Sequence, residues 1–324
     1  MALLVLSGAD VRRLLSYSEC ADVMRAALTA LASGGIQQPL RTAVRPAGAA
    51  GFLVQMPSYA AEEGYGLKAI CITPGNPARG LDTHQGGVLL FAAGTGEPLA
   101  LVNASALTEI RTAAVSAVAT DLLARAGPAE VAIVGTGVQG QAHARALAAT
   151  RPVTRIRLTG RDSERCRRVA AALTEELGLP VGACESAPDA VAGAGIVVTA
   201  TSSAEPVLHR DWLAPGTHVN AVGACVPRDR EIDAATMAEA ALFADSRESL
   251  ASESGDYLLA LADGAAVGPV RELGELLTGT AQGRKDDDEI TLFKSLGLAA
   301  EDLMAARYVY DKAVRLGAGT AAAF

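Results

Sequence analysis

No run of about 18 or more apolar residues occurs in this 324-residue chain, so no membrane-spanning helix is expected. The first ten residues are briefly apolar, but they carry no basic leader and no small-residue cleavage site. They read as a first strand rather than a signal peptide. Positive charge is short as well. The chain has 28 Lys and Arg against 36 Asp and Glu, a net charge of -8, which argues against a nucleic-acid partner. Histidine is scarce, and His84, His143, His209 and His218 show no metal-ligand spacing of the HxxxH kind, so no metal is expected. The five cysteines, Cys20, Cys71, Cys166, Cys184 and Cys225, are scattered and odd in number, which fits reduced thiols in a cytoplasmic protein. What is abundant is core-forming material. Half the residues are hydrophobic (50%), and the length suits one large or two ordinary domains. Beyond alanine enrichment there is no low-complexity tract, and no internal repeat is visible.

The most informative segment is Val131-Ala-Ile-Val-Gly135-Thr-Gly137-Val138-Gln139-Gly140-Gln-Ala-His143. An apolar strand leads into Gly-x-Gly-x-x-Gly and then into an alanine-rich helix, which is the order a dinucleotide-binding βα unit requires. Gly135 permits the tight turn, Gly137 allows backbone to approach a pyrophosphate, and Gly140 lets helix pack closely on strand. The helix N-terminus offers unpaired N–H groups and the positive end of its dipole to phosphate.

The pattern changes along the chain. Residues 1–120 alternate short strands and turns around two helical stretches. Asp10 to Ser33 has helical periodicity ended by Gly34-Gly35. Strand-like runs follow at 52–55, 67–72 and 87–91, with turns at Pro74-Gly75-Asn76-Pro77 and Gly94-Thr95-Gly96. A helix is predicted over 108–123. From Val131 onward, strands at 131–134, 155–159, 181–184, 196–200, 217–222 and 241–244 are read, with helices near 138–149, 163–177 and 187–192 between the earlier ones. That alternation implies a doubly wound parallel sheet, and the apolar strands fit burial on both faces. A last strand at 290–293, a helix near 299–316 and a loose tail from Gly317 complete the expectation.

Cofactor preference should be set at the end of the second strand of the nucleotide unit. The chain reads Leu158-Thr-Gly160-Arg161-Asp162 there. Arg161 suits a 2′-phosphate, with Arg165 and Arg168 on the next helix adding charge, so NADPH is expected. Asp162 turned inward would instead select NADH, and a solvated basic helix balanced by Glu164 is the plain alternative.

At Leu107-Thr-Glu-Ile-Arg111-Thr-Ala-Ala-Val-Ser116 the chain resembles the ornithine cyclodeaminase / mu-crystallin family. Gln38-Pro-Leu-Arg41-Thr, Gln55-Met56-Pro57, Gly66-Leu-Lys68, Val219-Asn-Ala-Val-Gly223 and Thr291-Leu-Phe-Lys-Ser295-Leu-Gly297 match in the same order. The likeness runs from Leu6 to about Asp311 and is nearer the ketimine-reductase branch than the cyclising enzymes. It implies an α/β fold in which a Rossmann-type domain (121–295) is inserted in an α+β substrate and dimerisation domain (1–120 plus 296–324). It also implies a homodimer joined through the β-rich N-terminal part.

Arg41, Lys68 and Arg111 are cations in otherwise mostly apolar segments, where a charge is costly unless it meets an anion or reaches water. Each alone is readily a snorkelling surface residue. At positions matching the family's carboxylate-binding residues they imply a clamp for an α-amino or α-imino acid, with Lys68 and Arg111 as the catalytic pair. The resemblance further implies substrate contacts from Met56, His84 and Cys225. It implies cofactor contacts from Thr83, Thr201, Val222, Gly223, Ala224 and Ser295, beside the loop residues Gly135 to Gly140 and Arg161. His84 is open between proton donor and structural histidine. Lys68 is the expected proton relay if burial and Arg111 lower its pKa.

One departure bears on the reaction. Cyclising members carry an aspartate where this chain has Cys225, and an acidic residue before Met56 where it has Val54 and Gln55. A thiol of ordinary pKa is mostly protonated at neutral pH and does not replace a carboxylate. The expected activity is therefore NADPH-dependent reduction of an imino acid such as a pyrroline- or piperideine-2-carboxylate. Amino-acid dehydrogenation or reductive amination, cyclodeamination, and a non-catalytic binding role are the alternatives.

Overall fold

The computed structural model describes residues 2–324. The chain divides into two compact units. One comprises the residues up to Arg111 together with Gly297–Phe324, and the other comprises Thr112–Leu296. The division falls inside the long helix Ala104–Leu123, nine residues before the boundary expected at 120.

The first unit is built on an eight-stranded sheet. Its order is Thr320–Ala323, Ala2–Leu6, Pro98–Asn103, His84–Phe91, Gly64–Ile72, Phe52–Ala60, Ile36–Gln37, with Thr42–Val44 also paired to Phe52–Ala60. The long central strands alternate strictly. Val54, Met56, Ser58, Lys68, Ile70, Val88 and Leu90 face inward and are buried. Helix Ala299–Leu316 packs on that inner face, and Gly66 sits so near Leu303 that a Cβ there would lie 3.0 Å from its Cδ1. The period of two decides which residues share the site, because Lys68 lies directly opposite Met56 in register.

Two expectations fail here. The helix read over 10–33 is two helices, Gly8–Leu14 and Tyr17–Ala32. Ser16 breaks the run by adopting extended backbone and capping the second helix through its side chain, with Glu19 returning the bond to the Ser16 N–H. Apolar periodicity continues across the break, so periodicity alone hides it. The tail is not loose. Thr320–Ala323 is an edge strand antiparallel to Ala2–Leu6, a pairing that short alanine-rich sequence does not announce.

The second unit is an eight-stranded sheet in the order Val181–Ala183, Val153–Thr159, Ala129–Val134, Ile196–Thr199, His218–Ala221, Thr291–Lys294, Ala241–Ala244, Arg271–Glu272. Every pairing in it is parallel. Strand order reverses between Ala129–Val134 and Ile196–Thr199, the place where such sheets open a crevice for ligand at their carboxyl ends. The helices Ala234–Glu239, Arg247–Glu253, Gly255–Ala262 and Leu273–Leu277 went unread in the sequence. All have eight residues or fewer, too short for a 3.6-residue period to stand out. No helix among the described residues is long and apolar enough to cross a membrane.

Candidate functional site

In the first unit, three segments carry their cations to one place. The Gln38–Arg41 stretch is fastened to the start of the last helix. Gln38 Oε1 accepts from the Ala300 N–H at 2.8 Å, and Arg41 Nη2 donates to the Gly297 carbonyl at 2.8 Å. Lys68 is only 2% exposed, and its Nζ lies 3.2 Å from Asp302 Oδ1. Arg111 donates through Nε to the same Asp302 oxygen at 3.0 Å and through Nη1 to Glu301 Oε2 at 3.1 Å.

Gly297 explains why this approach is possible. Its φ of +80° is left-handed, and a Cβ would lie 2.6 Å from Arg111 Nη1. A side chain at 297 would displace the guanidinium whose neighbour Arg41 holds the Gly297 carbonyl.

Glu301 and Asp302 are the residues the sequence reading missed. They occupy the first turn of Ala299–Leu316, where carboxylates favour the helix dipole, and that role alone accounts for them in sequence. Their burial was the missing signal: Glu301 is 0% exposed and Asp302 1%. Arg41, Lys68 and Arg111 thus converge beside two buried carboxylates.

Protonation follows from these contacts. Burial lowers the Lys68 pKa, Asp302 partly restores it, and the result is about 8. Burial alone would raise Asp302, but Arg111 and Lys68 outweigh it and hold the carboxyl below its usual range. His84, at the start of strand His84–Phe91, is pushed down to about 4 by burial and by the charges of Lys68 and Arg111. It is neutral at physiological pH, which leaves Lys68 as the better acid of the two. Thr83 precedes it, partly buried, with its carbonyl accepting from the Thr73 N–H.

Val54 points inward and Gln55 outward, so neither supplies the carboxylate of the cyclising enzymes. Cys225 directs its thiol at the Val222 carbonyl (3.4 Å) and the Ser295 carbonyl (3.8 Å).

In the second unit the glycine loop has the shape a dinucleotide needs. Gly135 has φ +123°, and a Cβ there would lie 2.3 Å from the Ala200 carbonyl oxygen. Gly140 is tighter, with a Cβ 1.9 Å from the Gly135 oxygen. Gly137 is the opposite case. It caps Val138–Thr150 with no side-chain bond, and a Cβ would meet nothing within 4 Å. The first and third glycines are thus required by packing, and the second leaves open space at a helix N-terminus, the cradle a pyrophosphate fills. Val138 is exposed there, and Gln139 turns its carbonyl to His143 Nδ1.

At the end of Val153–Thr159, Asp162 accepts from the Arg165 N–H at 2.9 Å and caps the next helix. It is therefore engaged as a cap rather than turned toward a ribose. Arg161 is exposed, and Arg165 reaches the Thr136 carbonyl of the glycine loop at 3.5 Å. Arg168 instead pairs with Glu164 along the helix surface. Thr201 and Gly223 follow the strands Ile196–Thr199 and His218–Ala221, and the buried Val222 and Ala224 flank Gly223. Ser295, 2% exposed, follows Thr291–Lys294 and donates its N–H to the Ala221 carbonyl.

Known proteins resemble this chain in sequence and fold. The pattern of the ornithine cyclodeaminase/mu-crystallin family matches residues 1–316. This chain belongs to that family. It is 40% identical over 279 residues to the ketimine reductase mu-crystallin of Mus musculus, covering 86% of each chain. It is 36% identical over 321 residues to a Delta(1)-pyrroline-2-carboxylate reductase of Bacillus cereus, covering 98% of each. The solved Delta(1)-pyrroline-2-carboxylate reductase of Thermococcus litoralis, in complex with NADH and L-proline, superposes with a TM-score of 0.94 at 34% identity. That match covers 98% of this chain and 99% of that one.

Proposed function

We propose that this chain reduces a cyclic imino acid, of the pyrroline- or piperideine-2-carboxylate type, to the corresponding amino acid with a nicotinamide cofactor. The observation that carries the reading is the convergence of Arg41, Lys68 and Arg111 on one place, with Lys68 and Arg111 buried. Relatives named for ketimine and pyrroline-2-carboxylate reduction support it, as does a neighbour holding L-proline, a cyclic amino acid of the product class.

The residues then have distinct tasks. Arg41 and Arg111 hold the substrate carboxylate, while Glu301 and Asp302 fix the Arg111 guanidinium in place. Asp302 keeps Lys68 and Arg111 together by accepting from both. Lys68, mostly protonated below its pKa of about 8, donates a proton to the imine nitrogen as the C=N bond becomes CH–NH. Met56, directly opposite Lys68, is an apolar wall for the ring. The cofactor held at the glycine loop, when bound, would supply the hydride for that reduction.

Preference for NADPH over NADH is part of the proposal. Arg161 and Arg165 flank the loop, and Asp162 is committed to its cap. A homodimer is also proposed. The outer face of the first sheet presents Leu53, Tyr59, Tyr65, Leu67, Leu89 and Leu101, with Tyr65 47% and Leu101 39% exposed, an apolar face that a second copy would cover. A monomer in sedimentation at assay concentration would overturn the dimer.

The activity is tested by mixing the protein with NADPH and each of the two cyclic imino acids and following nicotinamide absorbance. Oxidation dependent on the imino acid is expected. Absence of turnover with both imino acids, in protein that binds NADPH, would overturn the reading.

A further inference from the structure

Three carboxyl- and ammonium-bearing side chains in the second unit have no part in the chemistry above, yet all are buried. Glu231, Asp256 and Lys294 are each 0% exposed. Glu231 spends both its oxygens on the chain around it. Oε1 accepts from the Thr201 N–H at 2.5 Å. Oε2 accepts from the Gly223 N–H at 2.6 Å and from Thr199 Oγ1 at 3.0 Å. Thr201 and Gly223 belong to two different segments, one after each of the neighbouring strands Ile196–Thr199 and His218–Ala221. One carboxyl group therefore bridges the carboxyl ends of two strands on the far side of the strand-order reversal from the glycine loop.

Glu231 is itself held. Asp256 Oδ1 accepts from the Glu231 N–H at 2.7 Å and from the Ile232 N–H at 3.0 Å, while its other oxygen lies 2.8 Å from Lys294 Nζ. Lys294 ends the strand Thr291–Lys294, which pairs with His218–Ala221. Gly223 fits only because it lacks a side chain, since a Cβ would lie 2.2 Å from the Thr201 carbonyl and 2.5 Å from the Glu231 carboxyl. A buried acid is costly unless its oxygens are hydrogen-bonded, and those of Glu231 are, to backbone N–H groups of two segments. Here it fixes backbone at the sheet edge where an α/β unit meets its ligand.

We infer that Glu231 is a positioning residue for the nicotinamide half of the dinucleotide, acting through the backbone of Thr201 and Gly223. The inference rests on the dinucleotide-binding reading of this unit. The adenosine half is served by the glycine loop with Arg161 and Arg165, to which Glu231 makes no hydrogen bond. Glu231→Gln is the natural probe. It keeps size and shape but replaces one acceptor oxygen with an amide that cannot accept from a backbone N–H.

Two dissociation constants are measured on the full chain, for NADPH and for adenosine 2′,5′-bisphosphate, which lacks the nicotinamide. E231Q is expected to weaken NADPH about ten-fold or more while leaving the bisphosphate unchanged. Hydrogen exchange without ligand should quicken at the Thr201 and Gly223 amides but not across Gly135 to Gly140. Unchanged affinity for both ligands overturns the inference. So does parallel weakening of both, which marks general damage. If E231Q does not accumulate as folded protein, Glu231→Asp, whose shorter side chain cannot span both N–H groups, is put through the same measurements. Wild-type protein that binds neither ligand would instead remove the dinucleotide reading beneath the inference.

Discussion

The two units each bury an ionic cluster, and the clusters are built to opposite ends. Around Arg111 the charges meet through side chains, with Lys68 and Arg111 both paired to Asp302. Around Glu231 the carboxylates are turned on backbone N–H groups, and the one ammonium, Lys294, is matched to Asp256. A cluster joined through side chains can exchange a partner for the charge of a ligand. One whose acceptors are used by backbone is poised to hold a shape. Burial and charge alone do not separate these roles, but the identity of the hydrogen-bond donors does.

The largest test of this contrast is Lys68→Met. It should cut kcat/KM for imino-acid reduction by at least about 100-fold, the usual weight of a general acid, while NADPH binding in a direct titration stays as it was. Equal loss of both would place Lys68 among the structural residues. The wild-type enzyme should lose activity as pH rises through about 8, because Lys68 supplies its proton only from the ammonium form. Asp302→Asn sharpens that prediction. Asp302 raises the Lys68 pKa, so without it the alkaline limb of the pH profile moves to lower pH, as pH–rate measurements would record. A limb that stays in place separates Lys68 from the titrating group.

Gly297→Ala forces a Cβ against Arg111 in a left-handed backbone, and thermal unfolding should register a loss of about 1–3 kcal/mol with a rise in KM for the imino acid. Smallest is the double change Arg161→Ala and Arg165→Ala. It should lower the NADPH-to-NADH ratio of kcat/KM about ten-fold with little effect on stability. Arg168→Ala, whose partner is the exposed Glu164, should not alter that ratio.

The parallel sheet and its glycine loop were legible because the central strands are mostly apolar and Gly-x-Gly-x-x-Gly stands between strand and helix, with its first and third glycines demanded by backbone contacts. Arg41, Lys68 and Arg111 were legible as costly charges in apolar segments. Their partners were not. Glu301 and Asp302 look like ordinary first-turn acids, and only the packing of Ala299–Leu316 on the inner sheet face buries them. Glu231 and Asp256 lie in short helical and loop segments without periodicity, 25 residues apart, so nothing local links them. The break at Ser16 and the last strand were lost for a related reason. A cap outweighed periodicity in one, and a long-range pairing made a strand of alanines in the other.

The central claim is that Arg41 and Arg111, beside Lys68, hold a carboxylate of the substrate. Comparing kcat/KM for pyrroline-2-carboxylate with that for unsubstituted pyrroline, which has the same C=N bond and no carboxylate, tests it directly. The account predicts a loss of about 100-fold or more without the carboxylate, as for a buried charged partner left unmet. Comparable rates for the two imines would contradict it.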